Sequence, residues 1–410
     1  MQLNKITDDQ GTAPASRPFR RMVFYIPGYD PFHPRRYREL YRKEAAEQAK
    51  TSGYSLALKP KTAKGSYGWR VAAEIDGRAV EAEVEVLVWS DLVRSSMGKG
   101  VWATYGQMCR TAWIYLSSGA LLRLIRLRKG PAIAALYPVV TLLGQLVLVA
   151  GLAGAVAAAL AIQVHWSLGL LAAAAILPLG LRWFRAQDSR FYAYYLMHDY
   201  AWSAQHRGAN PPALDARLTE FATRIRVAMT GGHDEVLVVG HSSGAHLAVS
   251  VLADVIREGP PAGGALGFLA LGHVVPMLSF LPNAGRLRAD LAYLSASDAL
   301  TWVDVTAPGD GCAFALCDPV SVTGVAPEGK RWPLVISAAF TQSLSPERWR
   351  ALRWRFFRLH FQYLCAFDRP RDYDYFRITA GPLTLAQRYA GRSPSKSRIE
   401  TPVNPYRSLE

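Results

Sequence analysis

Hydrophobic positions give this chain one region unlike the rest. Across residues 131–162 only Thr141 and Gln145 interrupt a run of apolar or small residues, and no charge appears. That exceeds the ~18 residues that mark a membrane-spanning helix. A polar break, Gln163-Val164-His165-Trp166-Ser167, leads into a second apolar stretch at 168–181, extended by Trp183 and Phe184 and close to the lower length limit for a span. With so short a break, the two runs predict a helical hairpin over about 135–184 with its tip near His165. The first helix would use about 139–161, with 131–137 lying in the interface. An Ala-rich helix pair buried in a large soluble protein is the competing reading.

Outside this region the pattern is mixed α/β. Residues 22–26 form a short apolar strand that stops at Pro27-Gly28, and the charged stretch 35–50 reads as helix. Segments 69–75 and 79–89 alternate at period two around Asp76-Gly77, a strong hairpin signal. Strands are predicted at 235–239, 265–271, 301–306 and 333–339, and helices at 245–256 and 287–294. Segment 346–367, rich in Arg and aromatics, is helical by composition, and 391–410 reads as a solvated, disordered tail. Strands separated by helices predict a mostly parallel sheet covered on both faces. The expected organisation is a disordered N-terminus at 1–20, an α/β domain made of 21–100 and 230–390, and a helical insertion at 101–229 that carries the hairpin.

Charge sharpens the membrane reading. The net charge is +15, and Arg123, Arg126, Arg128 and Lys129 precede the hairpin while Arg182, Arg185 and Arg190 follow it. The tip has no Lys or Arg, so the positive-inside rule puts both flanking portions in the cytoplasm, and the basic feet favour anionic lipid. No basic stripe of nucleic-acid type stands out, and no nucleic-acid partner is expected. Residues 1–21 lack the apolar core of a secretory signal. Cys109, Cys312, Cys317 and Cys365 have neither CxxC spacing nor a neighbouring His pair, so no metal, redox dithiol or cofactor is expected, and they read as reduced and mostly buried.

The chemistry concentrates where the strand at 235–239 meets the helix at 245–256. The join reads Gly240-His241-Ser242-Ser243-Gly244-Ala245-His246, a G-x-S-x-G in strand-turn-helix context. Small neighbours let strand and helix approach while Ser242 Oγ projects from the turn, and the Ser243 amide can point at a developing oxyanion. A Gly-rich turn with Ser242 capping the helix is the plainer reading.

This segment resembles the nucleophile elbow of the α/β-hydrolase superfamily, and of its esterases and lipases in particular, with the likeness covering 22–95 and about 232–367. The resemblance implies an α/β-hydrolase-like sheet and a triad in the order Ser, acid, His. Only His360, of nine histidines, lies beyond the strand at 301–306 that would deliver the acid, so His360 is the candidate base. The candidate acid is Asp310, in the loop Ala307-Pro308-Gly309-Asp310-Gly311, with Asp318 and Asp304 as alternatives. The second oxyanion amide would come from Tyr29, after Gly28, in a loop that lacks the HGGG form of many esterases. Two features depart from the family pattern: the hairpin at 69–89 follows the oxyanion strand, and the large insertion precedes the Ser242 strand.

Together these readings imply a membrane-anchored serine hydrolase of carboxylic, lipid-like esters acting through an acyl-serine. Trp102, Trp113, Tyr115 and Arg123 are expected to hold the mouth of the site against lipid. The alternatives are a membrane acyltransferase using the same serine and a non-catalytic membrane scaffold.

Overall fold

Segments apolar at nearly every position form strands buried on both faces, because neither face needs water. Such strands make the centre of one mixed sheet. The computed structural model describes residues 17–61, 66–97, 100–259 and 263–410; residues 1–16, most of the expected disordered N-terminus, lie outside these. The described strands are β1 (Phe19–Ile26), β2 (Ser55–Pro60), β3 (Gly68–Ile75), β4 (Arg78–Val86), β5 (Glu235–His241), β6 (Ala265–Leu271), β7 (Thr301–Thr306) and β8 (Leu334–Ser337). They lie in the order β2-β3-β4-β1-β5-β6-β7-β8. The run from β4 through β1 to β8 is parallel, whereas β2–β3 and β3–β4 are antiparallel. Side chains alternate across the sheet. Met22, Phe24, Val236, Val238 and Phe268 enter one core, and Val23, Tyr25, Leu237, Val239 and Leu269 enter the other.

The β3–β4 turn is the expected one, with Asp76 and Gly77 both at positive φ (54° and 70°). Strand β2 has no counterpart in the sequence reading. It is an edge strand with mostly exposed or half-exposed residues and a closing proline, so its apolar signal is weak.

Three other expectations need correction. The first strand begins at Phe19 rather than 22, because Arg21 is internal to it: its Nε bonds Glu235 at 2.6 Å and its guanidinium also reaches the carbonyls of Gly381 and Leu383. Segment 346–367 is not one helix but Pro346–Leu352, Phe356–His360 and a 3-10 turn at Phe361–Leu364. The stretch 391–410 is mostly exposed, as expected of a solvated segment, but it is anchored to the fold rather than disordered. Ile399 bridges Cys317, Val403 N–H bonds Val322 O at 3.1 Å, and the buried Arg288 uses the carbonyl of Ser408 at 2.7 Å. Of the cysteines only Cys317 is fully buried, and Cys109 is exposed.

Between β4 and β5 the chain leaves the sheet for the hairpin. Its helices are Lys129–Gln163 and Trp166–Ala186, with mean hydropathy 2.3 and 1.6. At 1.5 Å per residue they extend about 50 and 30 Å, against a hydrocarbon layer of about 30 Å. They are long and apolar enough to cross a membrane. Only 17% and 11% of their most apolar windows are buried, which disfavours a buried helix pair in a soluble core. Small residues let them touch: a Cβ on Gly169 would lie 2.4 Å from Ala157 O, and one on Gly180 would lie 2.6 Å from a Val149 methyl. The first helix is continuous from Lys129, with Pro131 in its first turn, where no N–H is required.

A helix at Ala193–Ala204, here called the wall helix, separates the hairpin from the sheet. Ala193, Tyr194, Met197 and Ala201 pack with Leu142, Val149 and Leu181 of the hairpin. Its opposite side faces a cavity at the C-terminal ends of the central strands.

Candidate active site

Ser242 follows β5 directly and precedes a helix, Ser243–Arg257, that starts without a linker. A turn this tight forces the serine to φ 57° and ψ −122°, a conformation costing on the order of 1–3 kcal/mol for a side-chain-bearing residue. The flanking glycines are steric requirements. A Cβ on Gly244 would lie 2.0 Å from Ile26 O, and one on Gly240 would lie 2.7 Å from Ala245 Cα. A helix cap does not account for Ser242, since its side chain makes no capping bond.

The loop after β1 lies against this turn. A Cβ on Gly28 would stand 3.0 Å from Ser242 Cβ and 3.4 Å from its Oγ. Trp89 Nε1 donates to Pro27 O at 2.9 Å, the Tyr29 and Ser96 hydroxyls bond each other, and Tyr195 OH donates to Tyr29 O. The loop is therefore fixed from three sides. The N–H groups of Tyr29 and Ser243 donate to no acceptor among the described residues, and both residues line the cavity beside Ser242.

His360 ends the short Phe356–His360 helix and is buried. Its Nδ1 donates to Asp310 Oδ2 at 2.7 Å. The same oxygen accepts from Tyr363 OH at 3.1 Å, and Oδ1 accepts from Cys312 N–H at 2.9 Å. Tyr363 OH in turn accepts from Ala307 N–H at 3.0 Å, so the phenol is oriented toward the carboxylate. Burial pushes the Asp310 carboxyl up, but the His360 charge and these three donors outweigh it and hold the carboxyl below its usual range. Asp310 is thus an ionised carboxylate that holds the imidazole through Nδ1.

His360 and Ser242 line one cavity of about 90 Å³, together with Gly28, Tyr29 and Ser243. Ser242 Oγ makes no hydrogen bond to His360 among the described residues; serine–histidine contacts often tighten only around substrate. The sequence therefore brought Ser242, Ser243, Gly28, Tyr29, His360 and Asp310 to one place. The alternative acids lie elsewhere. Asp318 caps the Pro319–Thr323 helix through two 3.0 Å bonds and pairs with Lys330 at 2.6 Å. Asp304 is fully buried in β7, 3.4 Å from His273.

Sequence reasoning missed four contributors. His241 is kept neutral by burial and by the charge of His360, its pKa falling to about 3, and its Nε2–H donates to His360 O at 3.0 Å. Tyr363 and Cys312 hold the acid, and Asp199 of the wall helix lines the cavity. Only the G-x-S-x-G neighbour His241 carried any local signal. Of the expected lipid-facing group, Trp102 and Trp113 are exposed. Tyr115 is instead buried and donates to Met277 O at 3.0 Å, because its helix turns that face inward. Arg123 donates to Ser118 O at 2.7 Å and Arg128 to Ala315 O at 2.8 Å, leaving Arg126, Lys129, Arg182 and Arg190 as the exposed bases at the foot of the hairpin.

Asp310, Cys312 and His360 offer ligand-type atoms within 4.8 Å of one another. The carboxylate already accepts three hydrogen bonds, and burial pushes the Cys312 thiol well above its ordinary value, so the donor set suits proton transfer better than a cation. Comparisons with protein-family models, with curated proteins and with solved structures find no match for this chain.

Proposed function

We propose that this protein is a membrane-anchored serine hydrolase of the α/β-hydrolase type that cleaves carboxylic esters of lipids through an acyl-serine intermediate. The observation that carries the reading is the strained serine of the β5 turn sharing a cavity with a histidine whose Nδ1 is bonded to an ionised aspartate. Ser242 Oγ attacks the ester carbonyl carbon while His360 Nε2 takes its proton. The carbonyl oxygen, now carrying the negative charge, receives the N–H groups of Ser243 and Tyr29. Collapse breaks the bond to the alcohol, which leaves with the proton from His360. Water then attacks the acyl carbon with His360 as base, giving the carboxylic acid and the free serine. The reaction asks for no cofactor.

The lipid substrate follows from position. The cavity is lined by Pro131, in the first turn of a membrane-type helix, and by the wall helix whose other face packs on the hairpin. With the exposed basic residues at both feet and none at the tip, the hairpin would enter from the cytoplasmic leaflet, and a cysteine placed at His165 would then be labelled only from outside.

The test is fluorophosphonate labelling of the detergent-solubilised full chain, read together with release of fatty acid from acyl esters. Labelling at Ser242 and hydrolysis that both vanish in Ser242→Ala support the reading. Failure to label folded wild-type protein would leave a membrane scaffold, and acyl transfer to an added alcohol in place of water would make it an acyltransferase.

A further inference from the structure

The wall helix presents one carboxylate to the cavity. Tyr195, Leu196, Asp199, Tyr200 and Ser203 recur at helical spacing along its inner side, and all five line the space that holds Ser242. Asp199 makes no hydrogen bond or ion pair among the described residues, although it is half-buried. Asp30, the other acidic residue of the lining, is already answered by Arg36 at 3.0 Å, by Phe32 N–H at 2.9 Å and by Tyr37 OH. Among the described residues no Lys or Arg lines the cavity.

We propose that Asp199 is the head-group subsite of this pocket, accepting a hydrogen bond from an uncharged, hydroxyl-bearing alcohol portion such as glycerol and excluding anionic head groups. The assignment rests on the ester-hydrolase reading of Ser242 and names its substrate class. An unpartnered acceptor in a cavity without cations is matched by a donor and opposed by a phosphate or sulfate. The apolar remainder of the lining, including Leu196, Val274, Met277 and Phe357, suits the acyl chain. Anionic lipid at the feet of the hairpin and neutral lipid in the pocket are then separate preferences of one molecule.

Burial pushes the Asp199 carboxyl up to about 7, with the charge of His360 opposing the shift. The other titratable groups around it are Tyr29, Tyr37, Tyr115, Tyr195, Tyr200 and Cys312, all pushed up by burial, His241, drawn down to about 3 by burial and by the charge of His360, and Asp30 and His360 themselves. Asp199→Asn removes the charge of Asp199 and leaves Asp30 and His360 in place, so this substitution isolates the part of the discrimination that Asp199 carries.

The experiment compares kcat/KM for a 1-acylglycerol and for the same acylglycerol bearing a sulfate, whose charge is constant with pH. Wild type should prefer the glycerol ester by about tenfold or more at about pH 8.5, two charges across such a pocket being worth that much, and the preference should shrink at about pH 5.5. Asp199→Asn, isosteric and uncharged, should flatten this pH dependence and cut the preference at least about fivefold, mainly through KM of the sulfate ester; Asp199→Glu should restore it. A preference unchanged in folded Asp199→Asn, or a wild-type preference for the sulfate, overturns the subsite while Ser242 labelling stands. Wild type that neither labels nor hydrolyses overturns the parent reading, and this one with it.

Discussion

Asp310 and Asp304 each lie in the interior beside a histidine, His360 at 2.7 Å and His273 at 3.4 Å, but their surroundings differ in kind. Asp310 accepts from an imidazole, a phenol and an amide, and its carboxyl is held low. Neither oxygen of Asp304 has a hydrogen bond among the described residues; burial, and then the neighbouring Asp318, push its carboxyl well above the usual range. Burial likewise draws His273 down to about 4, and its Nε2–H goes to Cys317 O at 3.0 Å. One pair is a carboxylate anion bonded to an imidazole. The other is a neutral acid beside a neutral ring. Proximity of Asp to His thus does not by itself decide the charge of such a pair; the donors around the carboxylate do.

Substitutions at the two pairs should separate most sharply at the histidines. His360→Ala, like Ser242→Ala, should lower kcat for ester hydrolysis by about 10⁴- to 10⁶-fold, whereas His273→Gln should leave kcat within about threefold of wild type; steady-state hydrolysis in detergent measures both. At the acids, Asp310→Asn should cost about 10³- to 10⁴-fold in kcat by releasing the imidazole tautomer, while Asp304→Asn should leave kcat unaltered. A large loss in Asp304→Asn would erase the distinction.

Stability should show the opposite asymmetry. Asp304 is an acid whose pKa is raised in the folded state, so the native protein holds a proton that the unfolded chain has lost once pH exceeds the ordinary carboxylate range. Its contribution therefore falls as pH rises above about 4. Asp304→Asn should remove that slope and stabilise the protein at neutral pH by about 1–3 kcal/mol, as read from denaturant melts across pH. The smallest loss expected at the Asp310 pair belongs to Tyr363→Phe, which deletes one donor to Asp310 and one acceptor for Ala307 N–H. We expect a loss of about 1 kcal/mol in stability and about fivefold in kcat.

The sequence pattern carried what is local. The β5–Ser242–helix join was legible because a tight turn demands small residues at fixed offsets, and the hairpin because length and lack of charge suffice. Residue order then singled out His360. What sets Asp310 apart is not local: Asp304, Asp310 and Asp318 lie within fifteen residues in or after one strand, and the partners that distinguish Asp310, His360 and Tyr363, are brought in by tertiary packing. The same holds for Arg21, left outside the strand expected at 22–26, whose partner Glu235 lies opposite it on the adjacent strand β5 but far away along the chain. Asn404, buried at the end of a polar stretch, is hidden for a related reason: besides the nearby Tyr406 O, its side-chain amide donates to Ser279 O, far away along the chain.

The wall helix sets a constraint on this protein's history that composition does not reveal. Within twelve residues it turns one side to the spanning helices and the other to Ser242. Inserting a single residue near its start would rotate everything downstream by about 100°, carrying Asp199 off the pocket and bringing a hairpin-facing side chain round toward it. Exchanges of residue type along this segment can be absorbed one face at a time, but its length should be nearly invariant among descendants that keep the same activity.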